Sequence, residues 1–157
     1  MQRLLSVGFA IVLIVSFRPA AQAETLTIPT SAFASDSSFH IEFGQLVLDS
    51  AGYAFAPVNL PNGAIIDGIR FFFLDKGPET VRASLFRQSM WQMSVSELFS
   101  ISSSGAEPGL RWSSDWSLNA GWRTVQTQNF SYWIQLHFNE GGLDYQVFGV
   151  QVIYHLP

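Results

Sequence analysis

Tryptophan side chains in the second half of the chain are the residues best suited to bind a ligand. Trp133, Gln135 and His137 alternate along a strand-like run, so they share one face of a strand. An indole flanked by an amide and an imidazole can hold a sugar ring, because the indole stacks on the apolar side of the sugar and the polar groups bond its hydroxyls. Either face of this run could be the core face, since the opposite one carries Tyr132, Ile134, Leu136 and Phe138.

A second group of tryptophans falls in a stretch with no regular pattern, from Leu110 to Gln128. It comprises Trp112, Trp116 and Trp122. Binding residues are often found on loops, so these three are further candidates for a sugar site. Alternatively, they close one end of the fold, and each indole N–H donates to a nearby acceptor.

Catalytic and metal-binding signals are weaker. His40 and Glu42 would share a strand face and could serve metal or proton chemistry, but a metal site needs further ligands, so two solvated residues are the favoured interpretation. No Gly-x-Ser-x-Gly motif is present, and the twelve acidic residues are spread over turns and polar faces. We therefore predict no catalytic residue, no metal site and no cofactor. Carboxylate pairs that meet only in space leave a secreted hydrolase as a weaker alternative.

The first 23 residues predict export. A basic start at Arg3 is followed by an apolar run from Leu4 to Phe17, and Ala21-Gln22-Ala23 has the small residues of a cleavage site. The run is shorter than a membrane-spanning helix. We expect a signal peptide over residues 1–23, cleavage between Ala23 and Glu24, one domain over residues 24–157, and a secreted or periplasmic product.

Composition narrows the possible partners. Without Arg3 and Arg18, six basic residues remain beside twelve acidic ones, a net charge of −6. No basic stripe is present, so neither nucleic acid nor an anionic membrane is an expected partner. The chain has no cysteine, which excludes disulfides and attachment of a lipid to cysteine. After cleavage we expect no stable membrane anchor, and the partner is a glycan or another extracellular protein.

Apolar and polar residues alternate along most of the chain after the signal peptide, with turn residues at short intervals. Ile69–Leu74 is apolar on both faces and predicts a central strand. We read Gly44 as a bulge within one strand, Pro57 as a strand end or edge, and Asn139–Gly142 as a hairpin loop. The pattern predicts an all-β fold of about eight strands at the spacing of a sandwich or a barrel, and the doubly apolar run Ile69–Leu74 favours a sandwich.

The core of this sandwich is predicted from the inward positions of each strand. It consists of Ile41, Phe43, Ile69, Phe71, Phe73, Val81, Leu85, Ile134, Leu136, Val150 and Val152.

Several short motifs stand out along the chain after the signal peptide. Ala56–Ile66 contains a Pro-Val-x-Leu-Pro-x-Gly-Ala turn, a hydrophobic strand ending in Asp75 follows, and Gly149–Tyr154 reads Gly-Val-x-Val-x-Tyr; a Ser-Ser-Gly loop lies at residues 103–105. In these motifs the chain resembles a group of uncharacterised secreted bacterial proteins. The resemblance implies a β-sandwich that is jelly-roll-like, with no assigned activity. We therefore expect a single antiparallel two-sheet sandwich, jelly-roll-like, with about eight strands. Taken with the residues, the resemblance favours a non-catalytic secreted protein that acts through its surface, and the alternative is a carbohydrate-binding module or lectin.

The leader generates a direct prediction. Expression of the full-length chain in an exporting bacterial host should give a mature protein whose first residue is Glu24, because the small side chains of Ala21 and Ala23 fit a signal peptidase. N-terminal sequencing of the exported protein checks this, and Ala23→Phe should block processing. An exported protein that still begins with Met1 would mean that the apolar run is kept as a membrane anchor.

Overall fold

The computed structural model describes residues 22–103, 107–117 and 120–157, which form two antiparallel β-sheets packed face to face. Most of the predicted signal peptide and two residues of the Ser-Ser-Gly motif, Ser104 and Gly105, lie outside these residues. No helix in the described ranges is long and apolar enough to cross a membrane. The strands are β1 (Ala23–Pro29), β2 (Ala34–Ser35), β3 (Phe39–Glu42), β4 (Gln45–Leu48), β5 (Gly52–Pro57), β6 (Ile65–Asp75), β7 (Val81–Ser89), β8 (Val95–Ser102), β9 (Glu107–Asp115), β10 (Phe130–Phe138) and β11 (Tyr145–His155).

The first sheet has the order β3-β4-β11-β6-β9, and β1 also pairs with β11. The second sheet has the order β2-β5-β10-β7-β8. The described residues thus contain eleven strands, more than the eight or so expected. The excess comes from β2, which is two residues long, from β3 and β4, which were read as one strand, and from β9, which was read as irregular. Two 3-10 turns, Thr30–Ala32 and Ala120–Trp122, complete the elements.

The predicted alternation places the core correctly in most strands. The central strand β6 pairs with β11 on one side and β9 on the other, and its inward residues are fully buried. Nine of the eleven predicted core residues are at most 1% exposed: Ile69, Phe71, Phe73, Val81, Leu85, Ile134, Leu136, Val150 and Val152.

The other two predicted core residues, Ile41 and Phe43, are wrong: they are 44% and 92% exposed. Phe43 and Gly44 have φ angles of 48° and 80°, so they form a two-residue turn that folds β4 back against β3, and Gly44 is not a bulge. Ile41 lies opposite the buried Leu46, but β3 is the edge strand of the first sheet, and an edge position leaves its side chains open to solvent.

The connections between strands mostly carry the chain from one sheet to the other. Residues 139–144, which include the predicted loop, join β10 of the second sheet to β11 of the first, so the loop is present but the predicted hairpin is wrong. Pro57 is the last residue of β5, as expected of a residue that cannot donate to a ladder.

Tyr145 fastens the loop after β6 to the start of β11. Its hydroxyl oxygen accepts the Glu79 N–H at 3.1 Å, and its O–H donates to the Glu140 carboxylate at 3.1 Å. Burial, with the neighbouring Glu140 carboxylate, raises the pKa of Tyr145, so the hydroxyl keeps the proton it donates. Gly77 lies directly against this ring, where a Cβ atom would overlap the hydroxyl and its ring carbon.

The close approach of Gly77 to Tyr145 generates a stability prediction. Gly77→Ala should lower the free energy of unfolding by about 1–3 kcal/mol, because the added methyl displaces a buried ring. In a Tyr145→Ala background, the same Gly77→Ala change should cost much less, since the ring it displaces is absent. Denaturant unfolding of the four variants measures this coupling, and additive losses would contradict the contact.

Candidate functional site

Trp133, Gln135 and His137 lie on the outer face of the second sheet, while Tyr132, Ile134, Leu136 and Phe138 on the opposite face of β10 are buried. The three outward side chains are half-buried. Trp133 stacks on Phe86 of β7 with ring centroids 5.6 Å apart, and His137 stacks on Tyr53 of β5 at 4.6 Å. These stacked pairs cover part of each ring face, so little flat aromatic surface is left for a ligand.

A second aromatic surface lies on the outer face of the first sheet. The segment predicted to be irregular contains the strand β9, and Trp112 lies within it and Trp116 just after it. Trp112, Ser114 and Trp116 occupy every second position, so their side chains lie on one side of this edge strand and of the residue that follows it. The two tryptophans are 59% and 48% exposed, more than any of the three outward residues of β10.

Strand pairing brings polar groups to the middle of this surface. Phe72 lies opposite Trp112, and Arg70 lies between Ser114 on β9 and Gln151 on β11. The Arg70 guanidinium sits 5.0 Å from the centre of the Trp112 ring, and its Nη1 donates to Gln151 Oε1 at 3.5 Å. A cation over an indole face is attractive, so Arg70 holds Trp112 in place from one side.

Trp116 lies against the backbone of Gly68. A Cβ atom on Gly68 would be 2.7 Å from Cε3 and 3.0 Å from Cδ2 of the indole. Cδ2 is a ring-fusion carbon without hydrogen, so its close approach places the flat side of the ring over the glycine. The indole Nε1 donates to Ser114 Oγ at 3.0 Å. One face of the indole is therefore covered by the sheet while much of the ring remains exposed.

We call Trp112, Trp116, Arg70, Ser114 and Gln151 together the indole face. It combines two fixed aromatic rings with a guanidinium, a hydroxyl and an amide, the mixture of apolar and oriented polar groups found in sites for polar organic ligands. Sequence reasoning named the two tryptophans but missed the other three residues. One signal was available for Arg70, which is the only charged residue in the apolar run Ile69–Leu74.

Trp122 does not join this surface. It lies in the second 3-10 turn, and its ring is 4.8 Å from the Arg87 guanidinium, which is also 4.6 Å from the Phe130 ring. These three side chains stack together where β7 ends and β10 begins. This position fits the alternative interpretation, in which a tryptophan closes one end of the sandwich.

His40 is flanked by two carboxylates near the β3–β4 turn. Its Nε2 is 3.9 Å from Glu42 Oε2, and its Nδ1 is 3.1 Å from Asp49 Oδ1. All three side chains are about half exposed. Within the described part of the chain, no group of three or more His, Cys, Asp or Glu side chains could hold a metal ion.

A cavity of about 290 Å³ lies beside the start of β10. Its polar side chains are Asn59, Thr127, Ser131 and Tyr132, and the rest of its lining is apolar. It contains no carboxylate and no imidazole, so it offers no pair of groups for acid–base chemistry.

The sequence matches no protein-family model and no curated protein. Among solved structures, the fold is similar to the C-terminal CBM6 of LamC, a marine laminarinase from Zobellia galactanivorans, with 15% identity, a TM-score of 0.53, and coverage of 82% of this chain and 98% of that one. It is also similar to a family 29 carbohydrate-binding module from Piromyces equi (15% identity, TM-score 0.43, 88% and 93% coverage). A cyanophage Pam1 capsid structure matches at 15% identity and TM-score 0.42, with 94% of each chain covered. At these identities the similarity concerns the β-sandwich fold.

The contact between Gly68 and Trp116 can be tested. Gly68→Ala should change the fluorescence emission of Trp116, because the new methyl cannot coexist with the ring or with the Asp115 carbonyl oxygen 2.6 Å away. The change should vanish in a Trp116→Phe background, which assigns it to this indole among the five tryptophans. An emission spectrum unaltered by Gly68→Ala would contradict the placement of Trp116.

Proposed function

We propose that the protein is a non-catalytic carbohydrate-binding module or lectin that binds a glycan chain on the indole face. The observation that carries the proposal is the pair of exposed indoles on one side of β9, with Arg70, Ser114 and Gln151 between and beside them. The exposed part of each indole offers an apolar surface to the C–H side of a sugar. The guanidinium, hydroxyl and amide offer donors and acceptors to its hydroxyls.

The spacing of the two indoles favours an oligosaccharide. The two Cα atoms are about 13 Å apart if the chain stays extended from Trp112 to Trp116. The two exposed indoles offer two aromatic surfaces along this line, so a chain of sugars can contact both of them. We therefore expect affinity to rise with the number of sugar units until both indoles are covered.

The outer face of the second sheet is a second candidate for the same function. Gln135 lies between the stacked pairs formed by Trp133 and His137, so an amide is flanked by aromatic rings on both sides along β10. We rank it lower because its rings cover one another.

Export and fold topology belong to the same proposal. We infer that the chain is exported and that the mature protein begins at Glu24. The resemblance to secreted bacterial proteins supports this inference. The strand orders β4-β11-β6-β9 and β5-β10-β7-β8 support a jelly-roll arrangement of the eight strands from β4 to β11.

Glycan binding can be tested with single tryptophan variants. Trp112→Ala and Trp116→Ala should each weaken binding to a glycan-array hit by about tenfold or more, since buried aromatic anchors dominate such contacts. Isothermal titration with the purified oligosaccharide measures the change. Trp122→Ala is the matched control, because Trp122 is 40% exposed but lies outside the indole face.

Three outcomes separate the alternatives. Weaker binding in Trp133→Ala, with Trp112→Ala unchanged, would move the site to the second sheet. Equal losses in Trp122→Ala and Trp116→Ala would point to general destabilisation. The absence of any response across a broad array would reject glycan binding.

A further inference from the structure

The hairpin between β7 and β8 ends in an apolar tip that the glycan site does not use. Trp91 and Met93 are 79% and 89% exposed, and Met90 and Val95 beside them are also exposed. We call these four residues the hairpin tip. Exposing four large apolar side chains together is costly in water, so such a cluster marks a contact surface.

The hairpin tip is held in one conformation by hydrogen bonds from outside it. The Ser89 hydroxyl accepts the N–H groups of Trp91 and Gln92, each at 3.2 Å, and Ser89 is itself buried. The Met90 N–H donates to the Asn129 carbonyl oxygen at 2.9 Å, which ties the turn to the segment before β10. The apolar side chains are therefore displayed by an anchored turn.

The absence of charge at the hairpin tip determines which kind of surface it can bind. No charged residue occurs between Arg87 and Glu97. Glu97 is paired with Arg82, whose Nη2 lies 2.7 Å from Glu97 Oε1. The chain as a whole is acidic, with a net charge of −4. An anionic surface would repel this protein, whereas a surface without net charge would accept the tip.

The size of the hairpin tip argues against a protein partner. A stable interface needs about 800 Å² from each side. A tryptophan contributes roughly 150–250 Å², and a protruding turn with three smaller side chains beside it falls short of the total. A lipid bilayer sets no such area requirement, because it closes around an inserted side chain. Tryptophan also favours the headgroup level, where its ring is in apolar surroundings and its N–H stays hydrated.

We propose that the hairpin tip inserts into the interface of a zwitterionic lipid bilayer and holds the protein there reversibly. The contact is peripheral, since only one turn enters the headgroup region. It is independent of glycan binding, because the tip belongs to the second sheet and the indole face to the first.

The test is partitioning of the mature protein onto phosphatidylcholine vesicles, measured by co-sedimentation. The wild type should pellet with the vesicles, and added salt should have little effect because no charge is involved. Trp91→Ser combined with Met93→Ser should lower the partition coefficient about tenfold or more, through loss of buried apolar surface. Phosphatidylcholine brominated near the headgroup should quench the wild-type fluorescence more than that of Trp91→Phe.

Phe43→Ser is the matched control, because Phe43 is also highly exposed at a hairpin turn but lies elsewhere. It should leave the partition coefficient unchanged. Failure of the wild type to pellet with phosphatidylcholine would overturn the proposal, as would an equal loss in Phe43→Ser. A wild-type dimer that Trp91→Ser dissociates would also overturn it, by showing that the tip binds a second copy of the chain.

Discussion

The pairing of β11 with three other strands is the constraint on which the rest of the structure depends. β11 pairs with β6 along one side, and with β4 and then β1 along the other. The change from β4 to β1 falls at the bulge between Val147 and Gly149. Gly149 has a φ of 147°, and its missing side chain leaves room for the Ile28 carbonyl oxygen, which would be 3.0 Å from a Cβ atom. Without β11, β1 has no ladder partner and β4 and β6 lose their contact through the sheet.

The indole face follows from this pairing. Because β11 and β9 flank β6, the outward residues of three strands far apart in the chain meet on one surface. Arg70 touches Gln151 on one side and Trp112 on the other, although 81 positions separate Arg70 from Gln151. The inward neighbours of Arg70, Ile69 and Phe71, are fully buried, and this burial fixes which side of β6 faces solvent. The core and the candidate site are thus opposite faces of the same ladder.

Alternation of residue types was sufficient to predict the sandwich and nine core residues, because most inward side chains of the covered strands are apolar. It failed at Ile41 and Phe43, since alternation indicates which face is apolar but not whether another sheet covers it. It also failed at Phe43 because a phenylalanine with positive φ gives no turn signal in a sequence. The strand β9 was missed because Gly109 and the adjacent Ser113 and Ser114 interrupt its apolar pattern.

The candidate site was only half predictable for a related reason. The tryptophans are candidates by residue type alone, and their four-residue spacing places Trp112 and Trp116 on one face once β9 is known to be a strand. Their polar neighbours come from β6 and β11, and ladder register between distant segments cannot be derived from a single sequence. The sequence also could not show that Trp122 lies outside the indole face, because its partner Arg87 is 35 positions earlier in the chain.

The anchoring of the β7–β8 turn has a consequence for sequence variation. Its hydrogen bonds use the Ser89 hydroxyl and backbone atoms, and none of those described uses the side chains of Trp91, Gln92 or Met93. Trp91 and Gln92 are thus free to diverge without altering the sandwich beneath them, whereas position 93, with a φ of 50°, restricts the residues it can accept. The same frame can present different recognition sequences, much as a framework carries hypervariable loops.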